Sequence, residues 1–394
     1  MDVLDSLPLF RASPAAEMLS DGDVERMFVD PGGIETFWVR EYLDGFIDQG
    51  AGKVKFVRGR SGSGKTHLLR RLKRTAEQAG YLVVSVDAHI NRLAAIDELY
   101  RAVAQAVNWN NLLDRCTVAV IRQELGYQDY ELPASRFRMW AEDTHDRSQA
   151  ALMTDIRDVT DRFVRELDIY AAVRQPIRAS IVRRTGADAA DESVLMRWLQ
   201  GEKLTKQERR AIGVSTNVDR RNARSVLLCL PVLARAAAYK GLLILVDHAE
   251  VLARTARTEG IPFYTRGARD QAYEMIRELI DESYLAPYLF MAFAGDPELF
   301  DNQKTGLPAY PALWYRIQSE IATKQVNRFH DIVDLDRLWK REDLTRLAET
   351  WALYASEVEL NGQIPDSPSA TWGLEWGNAR RAVAKAISSQ NGGA

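Results

Sequence analysis

The chain has 394 residues, 46% hydrophobic and 27% charged, enough to bury a substantial core and long enough for two domains or one domain with a large insertion. Its 52 basic and 55 acidic side chains leave a formal net charge of −3, which argues against a protein that coats nucleic acid through a global basic excess. The two cysteines, Cys116 and Cys229, lack a CxxC partner or clustered histidines, so neither a disulfide framework nor structural zinc is indicated and both read as buried thiols.

Residues 1–30 mix Pro, Asp and Ser with isolated hydrophobes and read as an arm docking on the body. Apolar residues then recur at helical spacing from Ile34 to Ile47, and Gly50 to Gly52 stops that helix. Lys55 to Val57 predicts a short strand, Thr66 to Ala79 a helix closed by Gly80, and Tyr81 to Val86 a second strand ending in Asp87. From residue 88 to 240 the chain is rich in Arg, Glu, Ala and Leu, with helical periodicity at Leu93 to Val107 and Ala151 to Val173, and predicts a large helical insertion. Leu242 to Val246 is a continuous apolar run suited to a parallel strand buried on both faces, and Tyr288 to Ala294 is another. These strands assign residues 31–87 and 241–329 to one nucleotide-binding unit in two parts. A short strand at Ile332 to Leu335 and helices at Asp343 to Tyr354 and Asn378 to Ile387 predict a helical cap over residues 330–394. The most apolar stretch, Val226 to Val246, is interrupted by Pro231, Arg235 and Lys240. A membrane span is therefore not expected, and a cytoplasmic location is.

The segment Gly59-Arg60-Ser61-Gly62-Ser63-Gly64-Lys65-Thr66 fits G-x-x-x-x-G-K-[ST] between a predicted strand and a predicted helix, the context this phosphate-cradling pattern requires. Glycines let successive amides turn toward a phosphate, where the helix N-terminus adds a favourable dipole. Lys65 then supplies a point charge for the β- and γ-phosphates of ATP, and the Thr66 hydroxyl a ligand for Mg2+. His67 adjoins these expected nucleotide contacts. Asp247, emerging from the apolar strand Leu242 to Val246, is the expected second magnesium residue.

Hydrolysis usually needs a carboxylate that orients or deprotonates the attacking water, commonly the residue after that aspartate, and here that residue is His248. Glu250 is a substitute candidate. Asp296, after the strand Tyr288 to Ala294, could reach the γ-phosphate or cap the following helix. Arg316 is a candidate finger toward a neighbouring subunit's nucleotide, with a surface ion pair as the plainer reading. Arg380 is placed to close over the phosphates.

Three groups of residues give the chain a family resemblance: Phe56 through Thr66; Trp198 to Glu202 with Asn222-Ala223 and Gly241 to Glu250; and Ala294-Gly295 with Tyr310 to Leu313 and Arg316. They are similar to the ATP-binding proteins of BREX bacterial phage-defence systems, whose nucleotide domain resembles AAA+ proteins of the origin-recognition type. Gly377 to Arg380 is similar to the second-sensor arginine of the latter. The resemblance implies an α/β P-loop NTPase of AAA+ type, with a parallel sheet, a large helical insertion and a small helical C-terminal cap. It also implies work as an ATP-dependent subunit of a larger defence complex, alongside a DNA methyltransferase. The family usually has Asp-Glu where this chain has Asp247-His248, which leaves a non-hydrolysing ATP-dependent scaffold as the alternative.

A GTPase base-reading motif and a transporter signature are both missing. Arg70, Arg71, Lys73 and Arg74, then Arg183 and Arg184, then Arg209, Arg210, Arg220, Arg221 and Arg224 form basic clusters. These read either as a DNA contact or, more commonly, as helix faces paired with nearby carboxylates. A homo-oligomer is compatible with all of this.

Overall fold

The computed structural model describes residues 21–187, 192–283, 286–318, 327–357, 377–379 and 381–383. The chain enters through a short helix, α1 (Asp21–Met27), whose Met27 is buried, and then α2 (Ile34–Trp38), which continues as wider turns over Val39–Ile47. The Asp30 carboxylate starts α2 by accepting the Glu35 and Thr36 amides at 2.9 and 3.0 Å, two of the donors that a helix start leaves unpaired. Strand β1 (Gly52–Arg58) begins three residues earlier than the apolar run predicts, because it pairs along its whole length with another central strand.

After the glycine loop, α3 (Lys65–Gln78) buries Leu68, Leu69, Leu72 and Ala76 at helical spacing. Strand β2 (Leu82–Asp87) follows. Every regular element described between residues 88 and 240 is helical, including α4 (Ile96–Ala106), α5 (Trp109–Ala119), α6 (Gln149–Glu166), α7 (Ala171–Val182) and α8 (Ala223–Ala236). The single periodic stretch Ala151 to Val173 is thus two helices. The backbone turns extended at Leu167, so α7 folds back on α6, and the Asp161–Arg178 ion pair ties them together.

Strand β3 (Leu242–Asp247), α9 (Arg266–Glu282), β4 (Leu289–Gly295), α10 (Pro297–Asp301), α11 (Pro311–Ile317), β5 (Ile332–Asp334) and α12 (Arg341–Glu357) follow, with short helical turns at Ala249–Leu252, Leu307–Ala309 and Leu335–Leu338 between them. The five strands form one parallel sheet in the order β2-β3-β4-β1-β5. Alternation along β3 shows why both faces are apolar. Leu242, Ile244 and Val246 join the core formed with α4, α8 and α9, while Leu243 and Leu245 join the core formed with α2 and α3. Full burial of each such side chain is worth about 1.5–3 kcal/mol relative to exposure. The helices between β2 and β3 therefore share the sheet's own core. A satellite cluster around Ile121, Tyr130, Phe137 and Leu152 lies within that helical stretch.

Lys55 is fully buried in β1. Its ammonium donates to the carbonyls of Phe329 and His330 at 2.8 and 2.7 Å and lies 4.4 Å over the Tyr42 ring, and burial pushes its pKa down to about 7. Both cysteines are buried thiols, and burial pushes Cys116 up to about 12 and Cys229 to about 11. Among the described residues no helix is long and apolar enough to cross a membrane.

Candidate functional site

Parallel strands deliver their C-terminal ends to one edge of a sheet, and that edge carries the candidate site. Leaving β1, the chain turns through Gly59 to Gly64 and enters α3. Gly62 and Gly64 adopt φ of +76° and +99°, conformations that a side chain makes costly. The Ser63 amide closes the turn on the Arg60 carbonyl at 3.0 Å. The Lys65 ammonium lies across the loop and donates to the carbonyls of Gly59 and Arg60 at 2.6 and 3.2 Å.

The loop is braced by residues from far along the chain. Asp336 accepts the Arg60 amide at 2.9 Å and its guanidinium at 3.2 and 3.3 Å. Burial opposes the Asp336 charge, but these bonds outweigh it and hold the carboxyl below its usual range. The Trp339 indole donates to the Ser63 carbonyl at 2.8 Å, and the Gly377 amide to the Ser61 carbonyl, also at 2.8 Å. Gly377 approaches so closely that a Cβ there would stand 2.5 Å from the Ser63 nitrogen.

The Thr66 hydroxyl donates to Asp247 at 2.7 Å, across 181 positions of sequence. Asp247 also accepts the amide of His248 at 2.8 Å. His248 has a left-handed backbone, φ +58°, and this turns its imidazole to the neighbouring strand end, where Nδ1 lies 3.0 Å from Asp87. There it stacks on His89, ring centroids 4.1 Å apart and planes within 14°. Burial alone would lower the His248 pKa, but the Asp87 hydrogen bond and the charges of Asp247 and Glu250 push it up to about 9. Burial and the His248 charge hold His89 down at about 4. The pair is therefore one imidazolium and one neutral ring.

Glu250 is 6% exposed, and burial together with the Asp296 charge raises its carboxyl above the usual range. Lys65 is near enough to act in the opposite direction. Of the residues expected from sequence, the structure thus gathers Gly59, Arg60, Ser61, Gly62, Ser63, Gly64, Lys65, Thr66, Asp247 and Glu250 at one sheet edge. His248 is at that edge too, but it faces Asp87. Asp296 caps α10 by accepting the Glu298 amide at 3.1 Å, the plainer of its two readings. His67 is half-buried against Trp351 of α12, and desolvation with Arg70 lowers it to about 4. Arg316 forms an ion pair with Asp281 and bonds the Ala312 carbonyl. Arg380 lies outside the described residues.

The basic clusters are largely engaged internally. Arg71 pairs with Glu25 and Glu35, Arg74 with Glu25, Arg184 with Glu192, Arg220 with Asp97, Arg221 with Asp219, and Arg224 with Glu278 and Glu282. Four residues of this edge, Asp87, His89, Asp336 and Trp339, are not singled out by sequence. A signal for the first two exists: β2 ends in Val-Asp-Ala-His and β3 in Val-Asp-His. In adjacent parallel strands with Asp87 in register with Asp247, both histidines leave the sheet at neighbouring strand ends, and the left-handed turn at His248 brings them together.

Fold and site define a parallel-sheet α/β protein with a glycine-built loop between the interior strand β1 and the following helix, and a carboxylate from the strand β3 beside it. Within that class, the chain belongs to the family of BREX system ATP-binding proteins, BrxC/D, whose family model matches residues 38–368. Comparison with curated proteins and with solved structures gives no significant match.

Proposed function

We propose that this chain is the ATP-binding, AAA+-like P-loop subunit of a BREX-type, methylation-associated antiviral defence complex, taking Mg·ATP at the Gly59–Thr66 loop. The observation that carries this reading is the 2.7 Å bond between Thr66 and Asp247. It joins the two residues expected to hold magnesium, and each has its place in the fold from a separate strand. The loop fits a polyphosphate on its own features: positive φ at Gly62 and Gly64, a buried Ser63 hydroxyl without a partner, and the Lys65 ammonium resting on carbonyls. The Gly59–Thr66 amides and Lys65 would hold the phosphates, and Thr66 and Asp247 the metal. An ion held there would neutralise negative charge that develops on phosphoryl transfer.

In this reading, residues 31–87 and 241–329 make the nucleotide unit, 1–30 an arm, 88–240 a helical insertion and 330–394 a cap. Glu250 serves as the general base, because its buried carboxyl lies within electrostatic reach of Lys65 and Asp296. A base at that position, with His248 turned aside to Asp87, makes slow hydrolysis the expectation. The same His248–Asp87 pair favours a second reading, a scaffold that binds ATP without hydrolysing it, because the usual catalytic position is spent on an ion pair. Neighbouring subunits of a defence complex, and further copies of this chain, are the proposed partners.

Calorimetry with Mg·ATP tests the first claim. Lys65→Ala removes charge-assisted bonds worth roughly 3 kcal/mol in total, so affinity falls about 100-fold. Unchanged affinity overturns the site. Phosphate release then separates the two readings: background turnover in a chain that still binds ATP selects the scaffold, and measurable turnover lost in Glu250→Gln selects the ATPase. Particle mass with and without DNA reports on assembly.

A further inference from the structure

We propose that Asp87, His89 and His248 form a second cation site, distinct from the magnesium position, for a divalent metal of the zinc or cobalt type. The site follows from sheet topology. Strands β2 and β3 run parallel with Asp87 opposite Asp247, so the turns after them set His89 and His248 side by side. One oxygen or nitrogen from each of the three side chains falls within a single 4.8 Å span. Ligands bonded at about 2.0–2.1 Å to a tetrahedral ion stand roughly 3.3 Å apart. Asp87 Oδ1 and His248 Nδ1 already stand at 3.0 Å. Coordination would release the His248 Nδ1 proton and turn His89 out of its stack on His248 to bring in the third ligand, leaving the fourth position open.

The groups behind these ligands supply an independent observation. His89 Nε2 is buried and makes no hydrogen bond, and Glu250 Oε1 lies 3.7 Å from it. Glu250 is itself 6% exposed, and its other oxygen, Oε2, is buried without a partner. A metal-bound imidazole needs an acceptor for its second nitrogen, and a carboxylate is the usual one. Glu250 stands where that acceptor belongs. A metal drawing His89 toward Asp87 and His248 would polarise the Nε2 proton toward Glu250 Oε1, which Arg254 also approaches at 3.5 Å.

Donor chemistry decides the ion. Two imidazoles and one carboxylate suit zinc, cobalt or nickel, whereas magnesium prefers oxygen donors and water. The neighbouring Thr66–Asp247 pair offers oxygen only. The sheet edge would thus sort two cations by ligand type, with the zinc-type ion next to the carboxylate proposed as base. The inference stands whether or not that base functions, since it rests on the strand-end side chains and not on the loop.

Co2+ is the probe, because tetrahedral coordination gives it strong visible absorption. The full chain, stripped with a chelator and kept in millimolar Mg2+, is titrated with Co2+ and then challenged with Zn2+. One equivalent of Co2+ is expected to develop the band and to be displaced by Zn2+. His89→Asn and Asp87→Asn each weaken Co2+ binding at least tenfold, and Glu250→Gln about tenfold. Mg·ATP affinity in His89→Asn remains that of the wild type, which shows that the variant is folded. Thr66→Ala does the reverse, weakening Mg·ATP and keeping the band. Absence of stoichiometric Co2+ uptake by the wild type overturns the proposal, and so does uptake that His89→Asn and Asp87→Asn both leave unchanged.

Discussion

The turn after β1 and the paired turns after β2 and β3 occupy the same edge of one sheet and are made of different material. The first is a backbone device, in which glycines set the path and carbonyls and amides do the bonding. The second is a side-chain device, in which a charged histidine, a neutral one and three carboxylates are fitted together under partial burial. A backbone device depends on local geometry, so it is hurt most by steric intrusion. A side-chain device depends on charge, so it is hurt most by pH and by isosteric removal of one partner.

Steric intrusion should have the largest effect. Gly377→Ala puts a methyl group 2.5 Å from the Ser63 nitrogen, and relief requires the loop backbone to shift. Overpacking of this kind costs about 1–3 kcal/mol. Mg·ATP affinity should fall about tenfold, and a melting curve should show the lost stability. Affinity equal to wild type would mean that the loop tolerates movement, and the contrast between the two devices would collapse.

Asp87→Asn is next. It removes the charge facing His248 and weakens the acceptor of the His89 amide, which Asp87 holds at 2.8 Å. A loss of about 1–3 kcal/mol is expected in chemical denaturation, with Mg·ATP affinity little changed.

The pH profile sharpens the comparison further. The ordinary histidine pKa is 6.5, and the folded chain holds His248 at about 9. Below pH 6.5 both folded and unfolded chains carry that proton and the pair contributes in full; from 6.5 to 9 only the folded chain keeps it, so stability falls as pH rises. His89, held at about 4, acts on the other side: between 6.5 and 4 the unfolded chain takes up a proton that the folded one refuses, so stability falls as pH drops. In chelator-treated protein the buried Lys55, held at about 7, opposes this limb above pH 7, so the difference between variants is the readout: the stability advantage of the wild type over His248→Gln should shrink from pH 6.5 toward 9. A variant with the same slope as wild type would remove the charge from the account.

Arg316→Ala should matter least to the isolated chain. Its ion pair with Asp281 is about one-third exposed on both sides, and such pairs contribute about 0–1 kcal/mol. Melting should be unchanged within a degree or two. A fall in phosphate release confined to the assembled particle would restore the finger reading.

The same contrast explains what the sequence disclosed. Gly59 to Thr66 is legible because a backbone turn needs glycine at fixed local spacing, and β3 because a strand buried on both faces needs an unbroken apolar run. His89 was invisible beside His248 because their meeting depends on strand order, which a single chain does not spell out. The orientation of His248 was likewise hidden, since it depends on a positive φ that only a few per cent of non-glycine residues adopt. Asp336 and Trp339 carry no motif at all, and only the approach of β5 to β1 brings them to the loop. The break at Leu167 was missed because α6 and α7 bury matching faces and so keep one period across the turn.

The bracing of the Gly59–Thr66 loop by Asp336, Trp339 and Gly377 has a consequence for how the molecule is made. A ribosome releases the loop long before it releases Asp336, Trp339 and Gly377. Until then, nothing holds the Arg60 amide, the Ser63 carbonyl or the Ser61 carbonyl in place. A growing chain thus completes the bracing of this loop only once Gly377 has been translated.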